Sequence, residues 1–192
     1  MPTLILILQI ILLIPLFFAV LYIFIYAFAG IFYYQKPYSS NPQKRKIAVL
    51  IPGYKEDEVI VEVANQALEQ EYPSEYFDVV IIADSFQPET IAHLKALPIK
   101  VIEVSFDKST KSKALNRAMS ILPEEYDIAV VLDADNVMAS DFLSKVNASF
   151  EGSFTAVQGH RKAKNMDTSL AILDAISEEI NNHIFRKGHR VL

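Results

Sequence analysis

Asp133 and Asp135 stand two residues apart, directly after the apolar run Ile128-Ala129-Val130-Val131-Leu132. Two carboxylates held that close repel one another unless a proton or a cation sits between or beside them. A hard divalent ion such as Mg2+ or Mn2+ suits these oxygen ligands and usually shares its coordination with substrate phosphates. The pair therefore reads as a clamp for a metal and a diphosphate. A structural alternative uses the same residues, with Asp135, Asn136 or Ser140 capping a helix that starts near Asp141. Pro52-Gly53-Tyr54-Lys55-Glu56 follows another apolar run, Ile47 to Ile51. Its tyrosine could stack on a nucleobase and its glutamate could accept from a sugar hydroxyl. The segment also suits a turn leading into an acidic first helical turn of Glu56, Asp57 and Glu58. Asp84 ends a third run and could meet a base or ribose edge, or form a turn with Ser85. Lys111 and Lys113 open a helical pattern, where the macrodipole disfavours cations. An anionic ligand would account for them, as would plain solvation.

Other chemistries are absent from the pattern. There is no cysteine, so no disulfide and no thiolate metal site. The four histidines, His93, His160, His183 and His189, have no metal-ligand spacing. Neither a GxGxxG nor a GxxxxGK[ST] segment occurs, which argues against a dinucleotide oxidoreductase and a P-loop NTPase. A GxSxG segment is missing as well. The net charge of −5 argues against a nucleic-acid partner.

The elements that must position these residues are legible as alternation. Ile47–Ile51, Phe77–Ala83, Ile99–Val104 and Ile128–Leu132 are short apolar runs bounded by turn residues, as strands buried on both faces are. Helical patterns lie between them, at Asp57–Gln70, Pro88–Ala96 and Ser112–Leu122. Strands separated by helices predict an α/β fold with a mostly parallel sheet. In such sheets ligands bind beyond the C-terminal strand ends. The polar segments above all fall there, together with Ser105-Phe106-Asp107. A further strand is expected at Thr155–Gln158. A last helix, Thr168–Arg186, places Leu170, Leu173, Ile176, Ile180 and Ile184 on one face, with Gly188 as its C′ residue.

Every Asp, Glu, Lys and Arg lies after Gln35. Leu4 to Tyr34 is almost wholly apolar and longer than the roughly 20 residues that cross a bilayer. Residues 1–35 are expected to form one uncleaved transmembrane anchor, with Pro15 as a kink or a start and Tyr22, Tyr26, Tyr33 and Tyr34 as an aromatic belt. A cleaved signal peptide would want a basic leader and a shorter apolar stretch. Lys36, Lys44, Arg45 and Lys46 follow the span, so the positive-inside rule places the remainder in the cytoplasm. Residues 36–46, rich in Pro, Ser and basic residues, read as a linker, and residues 47–192 as the folded domain.

In order and spacing, Ile47-Ala48-Val49-Leu50-Ile51-Pro52-Gly53-Tyr54-Lys55-Glu56, Val79–Ser85, Lys113-Ala114-Leu115-Asn116 and Val130–Asp135 resemble a family 2 glycosyltransferase with the Rossmann-like GT-A fold. The resemblance implies a nucleotide-sugar donor and inverting transfer to a lipid or polysaccharide acceptor. It implies that Pro52, Tyr54, Glu56 and Asp84 line the nucleoside pocket and that Lys113 belongs to the donor site. Asp133 would face the nucleoside or diphosphate, and Asp135 would hold Mg2+ or Mn2+. Family members continue into an acceptor-binding half that supplies the carboxylate general base. This chain ends at Leu192 without tryptophan, so it reads as the anchor and donor half, with the base expected beyond the C-terminus. Two other readings stay open. One is a membrane-tethered nucleotide-sugar-binding remnant without catalysis. The other is a haloacid-dehalogenase-type phosphatase, in which Asp133 would be the nucleophile and Asp135 the acid/base.

Overall fold

The structure, a computed structural model, describes residues 2–34, 38, 42–152, 154–163 and 165–192. Lys36, Pro37, Ser39, Ser40 and Asn41 of the expected linker lie outside the described residues. The chain forms two compact units, one of Tyr38–Val157 and the other of Met1–Pro37 with Gln158–Leu192.

The first of these is an α/β sandwich. β1 (Ile47–Tyr54), β2 (Phe77–Asp84), β3 (Lys100–Val104) and β4 (Ile128–Val131) form one parallel sheet in the order β3-β2-β1-β4. Alternation along each strand sends side chains to opposite faces. Ile47, Val49, Ile51, Phe77, Val79, Ile81 and Ala83 pack into one layer, with Ile60, Val63, Ala64 and Ala67 of α2 (Ile60–Leu68), Leu94 of α3 (Pro88–Lys95) and Leu143 and Val146 of α5 (Phe142–Ser149). Ala48, Leu50, Val80 and Ile82 pack into the other layer, against Ala114 and Ala118 of α4 (Lys111–Ile121). The small alanines let α4 lie close to the sheet.

Burial on both faces holds for the central strands only. β2 is buried along its whole length except at Asp78, whereas Ala129 and Val131 of β4 stay exposed on the face opposite Ile128 and Val130. The reason is that α4, which covers this face, packs on Ala48, Leu50, Val80 and Ile82 and not on β4 at the sheet edge. α2 begins three residues later than the pattern predicts, because the Asp57 carboxylate accepts the Gln87 N–H at 2.8 Å and so braces a loop rather than a helix. Thr155–Gln158 is not a strand. All four side chains are exposed, so neither face has anything to bury against.

In the other unit, α1 (Pro2–Ile31) runs unbroken through Pro15, with its apolar side chains exposed from Leu4 to Ile25 and Ala29 buried. It is long and apolar enough to cross a membrane. α6 (Ser169–Asn181) starts at Thr168, whose hydroxyl accepts the Ala171 N–H at 3.1 Å. It continues through a π-helical segment, Asn182–Gly188, into the short α7 (His189–Val191). Gly188 is therefore not a C′ residue. Its φ of −57° is helical, and a Cβ there would overlap the Tyr26 carbonyl. The missing side chain serves close approach to α1 rather than a helix stop. Gly30 serves the same purpose from α1, where a Cβ would lie 2.8 Å from the His183 carbonyl oxygen. His183 Nε2 donates to the Ala27 carbonyl at 2.9 Å, and the His189 ring stacks on Tyr26 with centroids 3.9 Å apart. Of the apolar stripe expected on the last helix, Ile184 of the π-helical segment is buried, while Leu170, Leu173, Ile176 and Ile180 of α6 are exposed.

Candidate functional site

The strand order creates a crevice at one point. From β1 the chain steps outward through β2 to β3, then returns to lay β4 on the other side of β1. Ligands in open parallel sheets bind where the order reverses, outside the strand ends. Here that point lies between the ends of β1 and β4. Leu50 is paired with Val131, and the Leu132 N–H donates to the Leu50 carbonyl at 3.0 Å. Asp133–Asp135 thus leaves the sheet beside the last residues of β1, which run on through Tyr54 paired with β2.

The β1 and β2 ends are shaped by two non-glycine residues in the left-handed region, Lys55 (φ 55°) and Ser85 (φ 59°). Such positions cost about 1–3 kcal/mol each and collect at functional sites. Both are held by the sheet. The Lys55 N–H donates to the Asp84 carbonyl at 3.1 Å, and the Ser85 N–H to that of Val104 at 3.2 Å. Tyr54 is the register partner of Asp84, which brings the tyrosine turn and the second-strand carboxylate together. Tyr54 is half exposed, whereas Asp84 is buried and accepts the Ser85 hydroxyl at 2.9 Å. Gly53 is buried under Phe86, whose ring would lie 2.7 Å from an added Cβ.

Glu56 ties the two strand ends together electrostatically. Partial burial raises its pKa above the ordinary glutamate value, and the charges of Asp135 and then Asp133 raise it further. Three carboxylates therefore share one region of field. Asp57 behaves in the opposite way, its pKa lowered by hydrogen bonds from the Thr90 side chain and the Gln87 N–H. Asp133 carries two contacts. Lys111 Nζ donates to its Oδ1, and Asn136 Nδ2 lies 3.4 Å from its Oδ2. Asp135 is exposed. No helix cap consumes these groups: α5 begins after Asp141 without a side-chain cap, Ser140 donates to Glu71, and Asp141 pairs with Lys145.

Lys111 and Lys113 part company in the structure. Thr110 caps α4 by accepting the Lys113 N–H at 3.3 Å. Two residues apart on a helix is about 200° of rotation. Lys111 turns to Asp133, while Lys113 Nζ donates to the Lys108 carbonyl at 2.8 Å and lies over the Phe106 ring. The spacing of the two lysines allowed either to face the crevice; only the position of β4 selects Lys111. Asn136 was legible in the sequence only as a candidate helix cap, whereas its side chain lies at Asp133.

Among the described residues no three acidic or histidine side chains gather closely enough to hold a metal by themselves. The donor set that is present consists of hard carboxylate oxygens on Asp133 and Asp135, in a field already too negative for Glu56. That set fits a divalent cation which completes its coordination with phosphate oxygens and water.

Residues 42–188 match the family model described as glycosyltransferase like family 2. Among solved structures, the chain is similar to the mannosyltransferase PcManGT of Pyrobaculum calidifontis, in complex with GDP-Man and Mn2+. Identity is 20% over 68% of this chain and 39% of that one, with a TM-score of 0.53. It is also similar to residues 1–349 of TarS from S. aureus, at 20% identity over 62% of this chain and 40% of that one, with a TM-score of 0.49. The chain thus spans well under half of the length of either. No curated protein matches the sequence.

Proposed function

We propose that this chain, which belongs to glycosyltransferase-like family 2, binds a nucleotide-sugar donor at the β1/β4 crevice as the donor half of an inverting glycosyltransferase. The observation that carries the reading is the pairing of β1 with β4, Leu50 with Val131, which sets Asp133 and Asp135 beside the Pro52–Glu56 segment. In this reading Pro52, Tyr54, Glu56 and Asp84 line the nucleoside side, with Tyr54 offering an exposed ring for stacking and the carboxylates accepting from hydroxyl or base N–H groups. Asp133 faces the diphosphate and Asp135 holds Mg2+ or Mn2+. When bound, the cation neutralises the charge that develops on the departing diphosphate. Lys113 reaches that region only by leaving the Lys108 carbonyl. No residue of this chain is assigned as the base that takes the proton from the acceptor hydroxyl. α1 would anchor the protein in a bilayer with the sheet unit, residues 47–157, on the cytoplasmic side, near a lipid or saccharide acceptor. The GDP-Man and Mn2+ carried by PcManGT support the choice of donor and ion.

The test is titration of the whole chain in detergent micelles with UDP and GDP, with Mn2+ and with EDTA. The expected result is metal-dependent binding that Asp135→Asn weakens at least about tenfold, the scale of losing one charged ligand. Equal affinity in EDTA overturns the reading. Phosphate release from a phosphomonoester, with no nucleotide binding, would favour the phosphatase alternative.

A further inference from the structure

We propose that Lys111 is a placeholder for the cation. Its ammonium holds Asp133 while the donor is absent, so the divalent ion enters together with the nucleoside diphosphate rather than ahead of it. The inference rests on the donor site proposed above and deepens it.

Lys111 is the first residue of an 11-residue helix, where the macrodipole disfavours a cation. Its stable position there calls for an anionic partner, and the structure supplies one in Asp133 Oδ1. Lys113, on the same first turn, has its ammonium on a backbone carbonyl instead, so the pairing belongs to Lys111 and is not a general property of basic residues near the cleft. Asn136 is placed at Asp133 Oδ2, so both oxygens of that carboxylate have polar neighbours. A bare divalent ion must therefore displace an ammonium from Asp133 and leave it without a partner at a helix N-terminus. A cation bound to diphosphate meets no such obstacle, because the phosphate oxygens give the lysine a replacement anion next to the same helix N–H groups. Each ligand thereby removes the obstacle to the other, which is thermodynamic coupling between ion and nucleotide.

The experiment uses the whole chain in detergent micelles. Mn2+ binding is followed by loss of the free-ion paramagnetic resonance signal, first alone and then with UDP or GDP present. Lys111→Met is expected to raise the affinity for Mn2+ alone about three- to tenfold, the scale of one solvent-screened charge pair. It is expected to lower nucleotide affinity in Mn2+, and to shrink the enhancement that nucleotide gives to Mn2+ binding. Lys111→Gln should behave in the same way, and Lys111→Arg should keep the wild-type pattern. Lys95→Met removes a lysine paired with Glu103 instead and should change nothing. Wild-type binding of Mn2+ with nucleotide, combined with unchanged or weakened binding of Mn2+ alone in Lys111→Met, overturns the placeholder and leaves the donor site standing. A wild-type chain that binds no nucleotide in Mn2+ overturns both.

Discussion

At the scale of single residues, the site is a region of unbalanced charge kept in a stable fold. Burial and the charges of the two aspartates raise the pKa of Glu56 above the ordinary glutamate value, so its ionised form is the one the site disfavours. A raised carboxyl pKa means that the protonated form is the one the fold favours, and the destabilisation appears as pH rises through that value. Glu56→Gln should therefore raise the melting temperature in EDTA at pH 7. Solvent screening limits the gain to less than about 1 kcal/mol. The same variant should bind nucleoside diphosphate less well, a gain in stability at the expense of function that thermal melts and titration would expose together. The carboxylates were legible from sequence, because Asp84 and Asp133 follow apolar runs directly and Glu56 and Asp135 stand within a few residues of such a run's end. The partner of Asp133 was not, because choosing between Lys111 and Lys113 needs the rotation of α4 relative to β4.

The elements hold this charge through two different kinds of support. At the far end of the sheet from the crevice, Asp78 lies beside Tyr126, Lys100 and Lys46. Burial alone would raise its pKa, but the Tyr126 hydroxyl at 2.6 Å, the Lys100 ammonium at 3.2 Å and the Lys46 charge bring it below the ordinary aspartate value. A lowered carboxyl pKa contributes stability above the unfolded value, and this is lost as pH falls through the folded one. Asp78→Asn should thus cost stability at pH 7 and cost progressively less below about pH 4, where the wild-type group also takes up its proton. Denaturant midpoints at the two pH values check this. Within the core layer, Leu143 of α5 is fully buried. Leu143→Ala should cost about 2–5 kcal/mol through lost transfer energy and cavity formation, read from chemical denaturation. Strand and helix positions could be read from apolar runs and their spacing. The exposed face of β4 and the helical Gly188 could not, since both depend on what lies alongside: open solvent for Ala129 and Val131, the Tyr26 backbone for Gly188.

Taken whole, the chain divides by packing rather than by sequence order. Tyr38–Val157 contains both core layers, from Ile47 to Phe150, without a residue from outside. Those residues expressed alone should unfold cooperatively and keep the metal-dependent affinity for UDP or GDP; a broad, non-cooperative melt would refute that independence. The apolar stripe on Leu170–Ile184 suggested one more helix of the same domain. Periodicity reports an apolar face but not its partner, and for Gln158–Leu192 the unit is shared with α1. The Tyr22 hydroxyl meets His189 Nε2 at 3.0 Å across 167 residues of sequence. On the ribosome α1 is therefore complete long before its partner helix exists. Contacts so distant in sequence close late, because their loop entropy must be overcome first. During synthesis the intervening sheet domain has time to form by itself, and pairing of the two helical segments comes afterwards, as the final stage of assembly.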